Sequence, residues 1–217
     1  TKGYYRQMIS FMQVFLGGAF KENPHLARGL ITGIMRIARE SIFSEMNNIG
    51  VYTILNQHFS DSFGFTQEEA HKMLSHFGMA EKMEAVRAWY DGYCFGRNGQ
   101  IYNPWSIVNY INRHQEGFRP YWVNTGSDPL IQKRLTEPDV DRTHDSLQQL
   151  VAGGTVEKFI SDNFVFADFE RRKELLWTLL VFSGYLTVEG ETSLRHYKLR
   201  IPNYEVKTVF QDIIIDW

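Results

Sequence analysis

The sequence predicts a mainly α-helical protein of the α+β class, with a few short strands between amphipathic helices. Its 217 residues are 43% apolar and 15% aromatic, which is typical of a folded chain with a substantial core. Apolar side chains recur at intervals of three and four residues over several segments, as they do on one face of a helix. The apolar runs between these segments are short, and their length suits strands.

The predicted helices follow from this spacing together with capping signals. Thr66 and Glu69 match a capping box, Pro104 suits the first turn of a helix, and Asn203 suits an N-cap. From these signals we expect helices over residues 4–22, 67–78, 79–90, 104–111, 130–135, 145–152, 169–183 and 204–214.

Three apolar runs predict strands. Residues 30–34 form a short run with a glycine inside it, which is typical of one buried strand. Residues 185–188 and 194–201 flank Glu189-Gly190-Glu191, and this arrangement predicts a hairpin with its turn at that tripeptide. Residues 136–146 are polar and contain a proline, so they are the best candidate for a linker.

Residues 89–106 combine aromatic side chains with turn-forming residues, and we call them the aromatic corner. Gly92 and Gly96 lie among the aromatic residues, and an Asn103-Pro104 step follows. Aromatic side chains bury large areas, glycine permits special backbone angles, and proline restricts them. The segment therefore predicts a rigid corner between two helices.

Charge and cysteine content exclude several classes of protein. There are 23 Lys and Arg residues against 25 Asp and Glu residues, so the net charge is -2 and the surface as a whole does not attract nucleic acid or anionic membranes. A local basic patch is compatible with this net charge. Cys94 is the single cysteine, which excludes an intrachain disulfide and a thiolate metal cluster and favours a reducing cytoplasm. No apolar run approaches the roughly 20 residues of a transmembrane helix.

Both ends of the sequence lie in or next to apolar patterns. The chain begins with Thr1-Lys2-Gly3 and enters a helical pattern at once, and it stops in the run 213–217. Natural termini tend to be polar and loosely ordered. We therefore expect the chain to be part of a longer protein.

The common catalytic motifs are absent from the sequence. It contains no G-x-x-x-x-G-K-[ST] P-loop, no H-E-x-x-H, no G-x-S-x-G and no cysteine pair for zinc. The sequence therefore predicts no catalytic residue and no metal site in this chain.

Glu205-Val206-Lys207 matches the second half of a PD-(D/E)xK nuclease site, in which a carboxylate holds a metal ion. The match is three residues long and lies on a predicted helix, whereas such a nuclease needs it on a strand. We therefore interpret it as a chance match.

The Thr32-Gly33 step ends the predicted buried strand, and Arg36 and Arg39 follow closely. A hydroxyl at a strand end can orient a water or touch a terminal phosphate, and a guanidinium can stabilise phosphate charge. The simpler alternative is an ordinary strand end whose arginines form surface ion pairs.

His196, Lys198 and Arg200 alternate along the second strand of the predicted hairpin. A basic face on a hairpin that follows a helix can be the wing of a winged helix, which contacts nucleic-acid phosphates. The alternative is a half-buried strand with one solvated face.

The chain as a whole resembles bacterial AAA-ATPase-like proteins that are fused to a PD-(D/E)xK nuclease domain. The resemblance covers nearly the whole chain, and the combination of segments is more specific than any one of them. The segments that carry it are Leu30–Ser44 with Asn47-Asn48, Tyr90–Tyr93 with Tyr102–Ser106, Tyr121–Thr125, Ser183–Leu186 and Lys198–Asn203.

This resemblance implies a helical lid bundle, a short core strand and a C-terminal winged-helix-like hairpin segment. It assigns residues 1–60 to the end of the ATPase core, 61–135 to the lid and 145–217 to the winged-helix-like part. Thr32 would take the sensor position, and Arg36 or Arg39 would face the phosphate. The P-loop and acidic strand would lie upstream and the nuclease downstream, so ATP and Mg²⁺ would be bound by the intact protein and not by this chain alone.

Three functions therefore stay open at this point. The first is a sensor-and-lid region that couples nucleotide state to conformation. The second is a nucleic-acid-binding module that uses the hairpin, with DNA as its partner. The third is a protein-interaction scaffold in which the aromatic corner anchors a partner domain.

Overall fold

The computed structural model describes residues 3–21, 23–33, 49–96, 98–123, 141–162, 172 and 174–215. Within these residues the protein is mainly α-helical with two small sheets, which confirms the predicted α+β class. The α-helices are α1 Tyr5–Phe20, α2 Gln67–His76, α3 Met83–Tyr90, α4 Pro104–Asn112, α5 Asp141–Val151, α6 Leu175–Phe182 and α7 Tyr204–Ile215. Two short 3₁₀ turns lie at Ala80–Lys82 and His114–Glu116.

The strands form two antiparallel sheets. The first is a hairpin of β1 Tyr93–Phe95 and β2 Asn98–Ile101 inside the aromatic corner. The second contains β3 Val156–Phe159, β4 Thr187–Ser193 and β5 His196–Arg200, in the order β3–β5–β4. The central strand β5 places Leu199 opposite Val156 on one side and Val188 on the other.

The chain divides into two compact units. The first contains residues 1–51 and 161–175 and includes α1. The second contains residues 52–160 and 176–217, and it includes both sheets and α2, α3, α4, α5 and α7. The three-part division implied by the resemblance stays a prediction.

Helix α2 begins as the sequence predicts. The Thr66 hydroxyl accepts a hydrogen bond from the Glu69 N–H at 3.3 Å, and the Glu69 carboxylate accepts one from the Thr66 N–H at 2.9 Å. This reciprocal pair satisfies backbone donors that the first helical turn leaves free. The capping box is therefore confirmed.

Asparagines cap α4 and α7, as the Pro104 and Asn203 signals predict. The Asn103 side chain accepts a hydrogen bond from the Trp105 N–H at 3.0 Å. The Asn203 side chain accepts one from the Val206 N–H at 3.1 Å. Pro104 takes the first helical position, where its missing N–H has no cost.

The core of the second unit around α2, α3 and α4 is rich in tyrosine. Tyr90 and Tyr102 are fully buried, and Tyr110 stacks on Phe118 with ring centroids 4.4 Å apart. The Tyr90 hydroxyl donates to the Arg119 carbonyl at 3.1 Å, so its polar end is satisfied inside the core. The aromatic corner therefore supplies core side chains as well as a change of chain direction.

The strand predicted at 30–34 is wrong over the residues that the structure describes. Residues 30–33 form no strand and pair with none among the described residues, and Leu30 is 77% exposed. A strand needs a neighbour for its backbone groups and a surface that covers its apolar side. Residues 35–47, Ile34 and the helix predicted at 130–135 lie outside the described residues.

The predicted hairpin exists, but its turn is at Leu194-Arg195 and not at Glu189–Glu191. Strand β4 continues through Gly190, which pairs with Lys198, and the register shifts at Glu189 and at Thr192 are bulges in this strand. The Glu191 carboxylate accepts a hydrogen bond from the Arg195 N–H at 3.1 Å and stabilises the later turn. Strand β3 was missed, since its four residues include two charged ones.

The predicted linker at 136–146 is also wrong in its second half, because α5 begins at Asp141. Leu147 and Leu150 of this helix are buried, whereas Asp145 is exposed. Asp145 therefore lies on the exposed side of this helix, where polar residues are expected. Residues 136–140 lie outside the described residues.

We predict that Thr66→Ala lowers the free energy of unfolding by about 1 kcal/mol, because it removes the cap of α2. Ser75→Ala is the matched control, since Ser75 is exposed on the same helix and alanine favours helices. Urea denaturation followed by circular dichroism measures both. Equal stability of the two variants would show that the capping box contributes nothing.

Candidate functional site: a buried polar junction

The aromatic corner meets the start of α7 in a group of buried polar contacts, which we call the polar junction. Its side chains are Asp91, Ser106, Arg200, Asn203 and Glu205, and they come from four separate parts of the second unit. Sequence separations across these contacts reach 112 residues. The junction therefore depends on tertiary structure and not on local chain geometry.

Glu205 is the most deeply buried charged residue of the junction, with no exposed surface. One carboxylate oxygen accepts a hydrogen bond from the Ser106 hydroxyl at 2.7 Å, and the other accepts one from the Trp122 N–H at 2.6 Å. Burial raises the pKa of Glu205, while the hydrogen bonds from Ser106 and the 121–123 backbone oppose this rise. Its position in the first turn of α7 also suits a negative charge.

Arg200 binds backbone carbonyls on both sides of the junction. Its guanidinium donates to the carbonyls of Gly92 and Pro202 at 3.0 Å each and to that of Ile201 at 3.2 Å. Its Nε also lies 3.3 Å from a carboxylate oxygen of Glu189. Arginine suits this role because its planar group presents five donors in a fixed geometry.

Asn203 joins the same two segments. Its Nδ2 donates to the Asp91 carbonyl at 2.8 Å, while its Oδ1 caps α7. Gly92 makes this close approach possible, because a Cβ at that position would collide with the carbonyl of Pro202. Gly92 also has a φ of 99°, which favours glycine.

Asp91 contrasts with Glu205. It is 2% exposed, its carboxylate lies 3.6 Å from the Arg87 Nε, and neither oxygen accepts a hydrogen bond from the part of the chain that the structure describes. Burial raises the pKa of Asp91, and the positive charge of Arg87 acts in the opposite direction. The hydroxyls of Tyr93 and Tyr102 are likewise buried without a hydrogen bond among these residues, and burial raises the pKa of Tyr102 to about 12.

A shallow cleft of about 200 Å³ lies beside the junction. Ala88, Gly153, Arg200, Tyr204 and Lys207 are among its lining residues. The cleft is open, and the polar groups of Arg200 are already engaged by protein partners.

The contacts of Arg200, Asn203 and Glu205 therefore hold segments of the second unit together. The Arg200 guanidinium, the Asn203 amide and the Glu205 carboxylate all bind other groups of the protein, and most of these are backbone groups. Among the residues that the structure describes, no group of three His, Cys, Asp or Glu side chains is placed to hold a metal ion. No helix within those residues is long and apolar enough to cross a membrane.

The predicted nucleotide-sensing residues are not brought together by the described structure. Thr32 is exposed in the first unit, and Arg36 and Arg39 lie outside the described residues. Thr32 by itself cannot enclose a phosphate. The assignment of these three residues to ATP and Mg²⁺ stays a prediction.

The three predicted nucleic-acid contacts have different surroundings on β5. Lys198 is exposed, and His196 is half-buried, with its Nδ1 3.1 Å from the Leu194 carbonyl. Arg200 belongs to the polar junction, so a phosphate contact would require the release of its carbonyl partners. Their role in nucleic-acid binding also stays a prediction.

Sequence reasoning missed the role of Glu205. It lies on a helix as expected, which agrees with the interpretation of Glu205-Val206-Lys207 as a chance match to a nuclease motif. The buried carboxylate nevertheless has a structural role, because it binds the Ser106 hydroxyl and the Trp122 N–H. The signal available in the sequence was an acidic residue two positions after the Asn203 cap, in the first helical turn.

The fold and the junction define an α+β protein in which an aromatic corner is joined to a C-terminal helix. Comparison with known proteins adds one relative, named "Uncharacterized protein in vnfD 5'region", from Azotobacter chroococcum mcd 1. It is 24% identical over 196 residues, which cover 89% of this chain and 35% of the relative. The chain thus spans about a third of that protein. No family model and no solved structure matches the chain.

We predict that Glu205→Gln lowers the free energy of unfolding by roughly 2–3 kcal/mol, because the amide keeps one acceptor oxygen for the two buried donors, the Ser106 hydroxyl and the Trp122 N–H. Glu189→Gln is the control, since Glu189 is partly exposed and contacts Arg200 at the edge of the junction. Urea denaturation monitored by tryptophan fluorescence compares the two. A Glu205→Gln variant as stable as Glu189→Gln would contradict the assigned hydrogen bonds.

The raised pKa of Asp91 predicts a pH dependence of stability. The folded state holds its proton to higher pH than the unfolded chain, so this contribution is fully present below the ordinary value of 3.8 and is lost as the pH rises through the folded pKa. Asp91→Asn cannot lose a proton. Its stability relative to the wild type should therefore rise between pH 4 and pH 7, by about 1.4 kcal/mol for each unit of pKa shift.

Denaturation of both proteins at several pH values measures this difference, because other titrating groups contribute equally to both. A constant difference across the range would show that Asp91 has an ordinary pKa in the folded protein.

Proposed function

We propose that this chain is the sensor-and-lid region of an AAA-type ATPase-like protein and couples nucleotide state to conformation. The resemblance described above suggests this role, with ATP and Mg²⁺ held by an upstream P-loop and with a cytoplasmic location. The observation that carries the proposal is the polar junction. It joins the aromatic corner, which the resemblance places in the lid, to the C-terminal helix α7.

A joined corner and helix suit a part that transmits movement. Asn203 and Glu205 lie at the start of α7, and Arg200 ends β5 shortly before it. Their partners Asp91, Ser106 and Gly92 lie in the aromatic corner. A displacement of the corner would move the start of α7 with it, since breaking these contacts would leave buried polar groups unsatisfied. Lid movements of this kind are a common way of converting nucleotide binding into a change elsewhere.

A winged-helix-like segment is the second part of the proposal. Its support is the sequence of α5, β3, α6 and the β4–β5 hairpin, together with the sheet order β3–β5–β4. Helix α6 is buried over Leu175–Val181, so it offers little free surface to a nucleic-acid groove. The hairpin also carries Glu189 and Glu191 beside its basic residues. These features favour a protein-contacting role for the segment over DNA binding.

The test is calorimetric titration of the complete protein, of which this chain would be a part, with a non-hydrolysable ATP analogue and Mg²⁺. We expect binding by the complete protein and none by the 217-residue chain. Thr32→Ala and at least one of Arg36→Ala and Arg39→Ala should weaken binding roughly 5- to 150-fold, the range of a typical coupling energy. Arg28→Ala is the control, because Arg28 is exposed in the same unit.

Failure of the complete protein to bind nucleotide would overturn the proposal. Titration of the same proteins with duplex DNA addresses the alternative function. DNA binding that falls steeply with salt and is reduced by Lys198→Ala would favour the nucleic-acid-binding module.

A further inference from the structure

Helix α1 exposes a row of large apolar side chains. Tyr4 precedes the helix, and Met8, Phe11 and Phe15 follow at intervals of four, three and four residues; we call these four residues the apolar stripe. Each of the four is at least half exposed, and no residue of α1 is buried. Phe11 and Phe15 stack on each other with centroids 6.0 Å apart. The stripe is thus continuous along the helix, and its side chains are exposed over at least half of their surface.

The spacing of the stripe indicates what kind of surface covers it. Alternation of three and four residues keeps apolar side chains in a narrow line, as at the a and d positions of packed helices. Eleven residues separate Tyr4 from Phe15, which corresponds to about 16 Å of helix. A partner helix of three turns would cover that length.

A lipid surface suits α1 poorly. Helices that lie in the membrane interface carry Lys and Arg on their polar face, which attract anionic lipids. The only charged side chain of α1 is Arg6, and the rest of its polar face is Gln, Ser and Gly. The helix therefore lacks the cationic face that this kind of binding uses.

A second copy of the chain would bury too little surface. An aromatic side chain contributes about 150–250 Å² when buried, so the half-exposed stripe together with Val14 offers roughly 500 Å². A symmetric pair would bury about 1,000 Å² in total, which is less than the roughly 1,200–2,000 Å² that stable specific interfaces bury. Packing within one polypeptide does not carry the entropic cost of bringing two molecules together. The area of the stripe is then sufficient for a stable contact.

We propose that the apolar stripe packs against an amphipathic helix in another part of a longer polypeptide. The curated relative leaves room for such a helix, since this chain spans 35% of its length. The inference rests on the proposed function only in taking this chain as one part of a longer protein, and it requires no nucleotide.

Hydrogen–deuterium exchange on the complete protein and on the 217-residue chain tests the inference without any substitution. The amides of 8–15 should exchange at least about tenfold more slowly in the complete protein. Equal exchange in the two proteins would overturn the inference. Nucleotide is left out of both samples, so the result is independent of whether the complete protein binds ATP.

A pair of variants locates the contact on the helix. Phe11→Glu should make α1 of the complete protein exchange as fast as it does in the 217-residue chain. Arg6→Glu places the same side chain on the exposed opposite side of α1 and should leave the protection unchanged. Equal loss of protection in both variants would overturn the assignment to this stripe.

Two further measurements on the 217-residue chain address the other occupants. A dimer in sedimentation equilibrium that Phe11→Glu dissociates would overturn the inference in favour of a second copy. Co-sedimentation with vesicles of phosphatidylcholine and phosphatidylserine that Phe11→Glu abolishes would overturn it in favour of a lipid surface. A monomer that stays in the supernatant is the expected result.

Discussion

The second unit depends on the burial of the Glu205 carboxylate and on the donors that surround it. A buried carboxylate is costly unless hydrogen bonds replace its hydration. Here the donors come from Ser106 on α4 and from the 121–123 backbone. The lost hydration of the carboxylate is therefore replaced only when these two segments and α7 come together. The same contacts that satisfy the charge therefore specify where α7 begins relative to α4.

Arg200 and Asn203 extend this constraint to the aromatic corner. Both side chains bind backbone carbonyls, and a carbonyl is present whatever residue occupies the position. The close approach of the two segments does require space at position 92. Gly92 provides this space, because a side chain there would collide with the Pro202 carbonyl. The corner is thus held by backbone geometry as much as by its aromatic side chains.

The two buried carboxyl groups of the junction have different surroundings. Glu205 binds donors through both oxygens, whereas Asp91 has Arg87 nearby and no hydrogen bond among the described residues. Burial raises the pKa of both groups, and only Glu205 has hydrogen bonds that hold it in one orientation. Glu205 is therefore the organising residue, and Asp91 is the group whose protonation is sensitive to its environment.

Local signals in the sequence determined the helices and their caps, because a capping residue and the face of a helix involve residues that are near one another in the chain. The helix starts at three positions follow from such local signals, which are Thr66 with Glu69, Asn103 with Pro104, and Asn203. The strand predicted at 30–34, the position of the hairpin turn and the helical start of residues 141–146 could not, since burial and register depend on distant neighbours. The role of Glu205 was decided only by the tertiary structure, which brings it to Ser106 and Trp122 across 99 and 83 residues of chain.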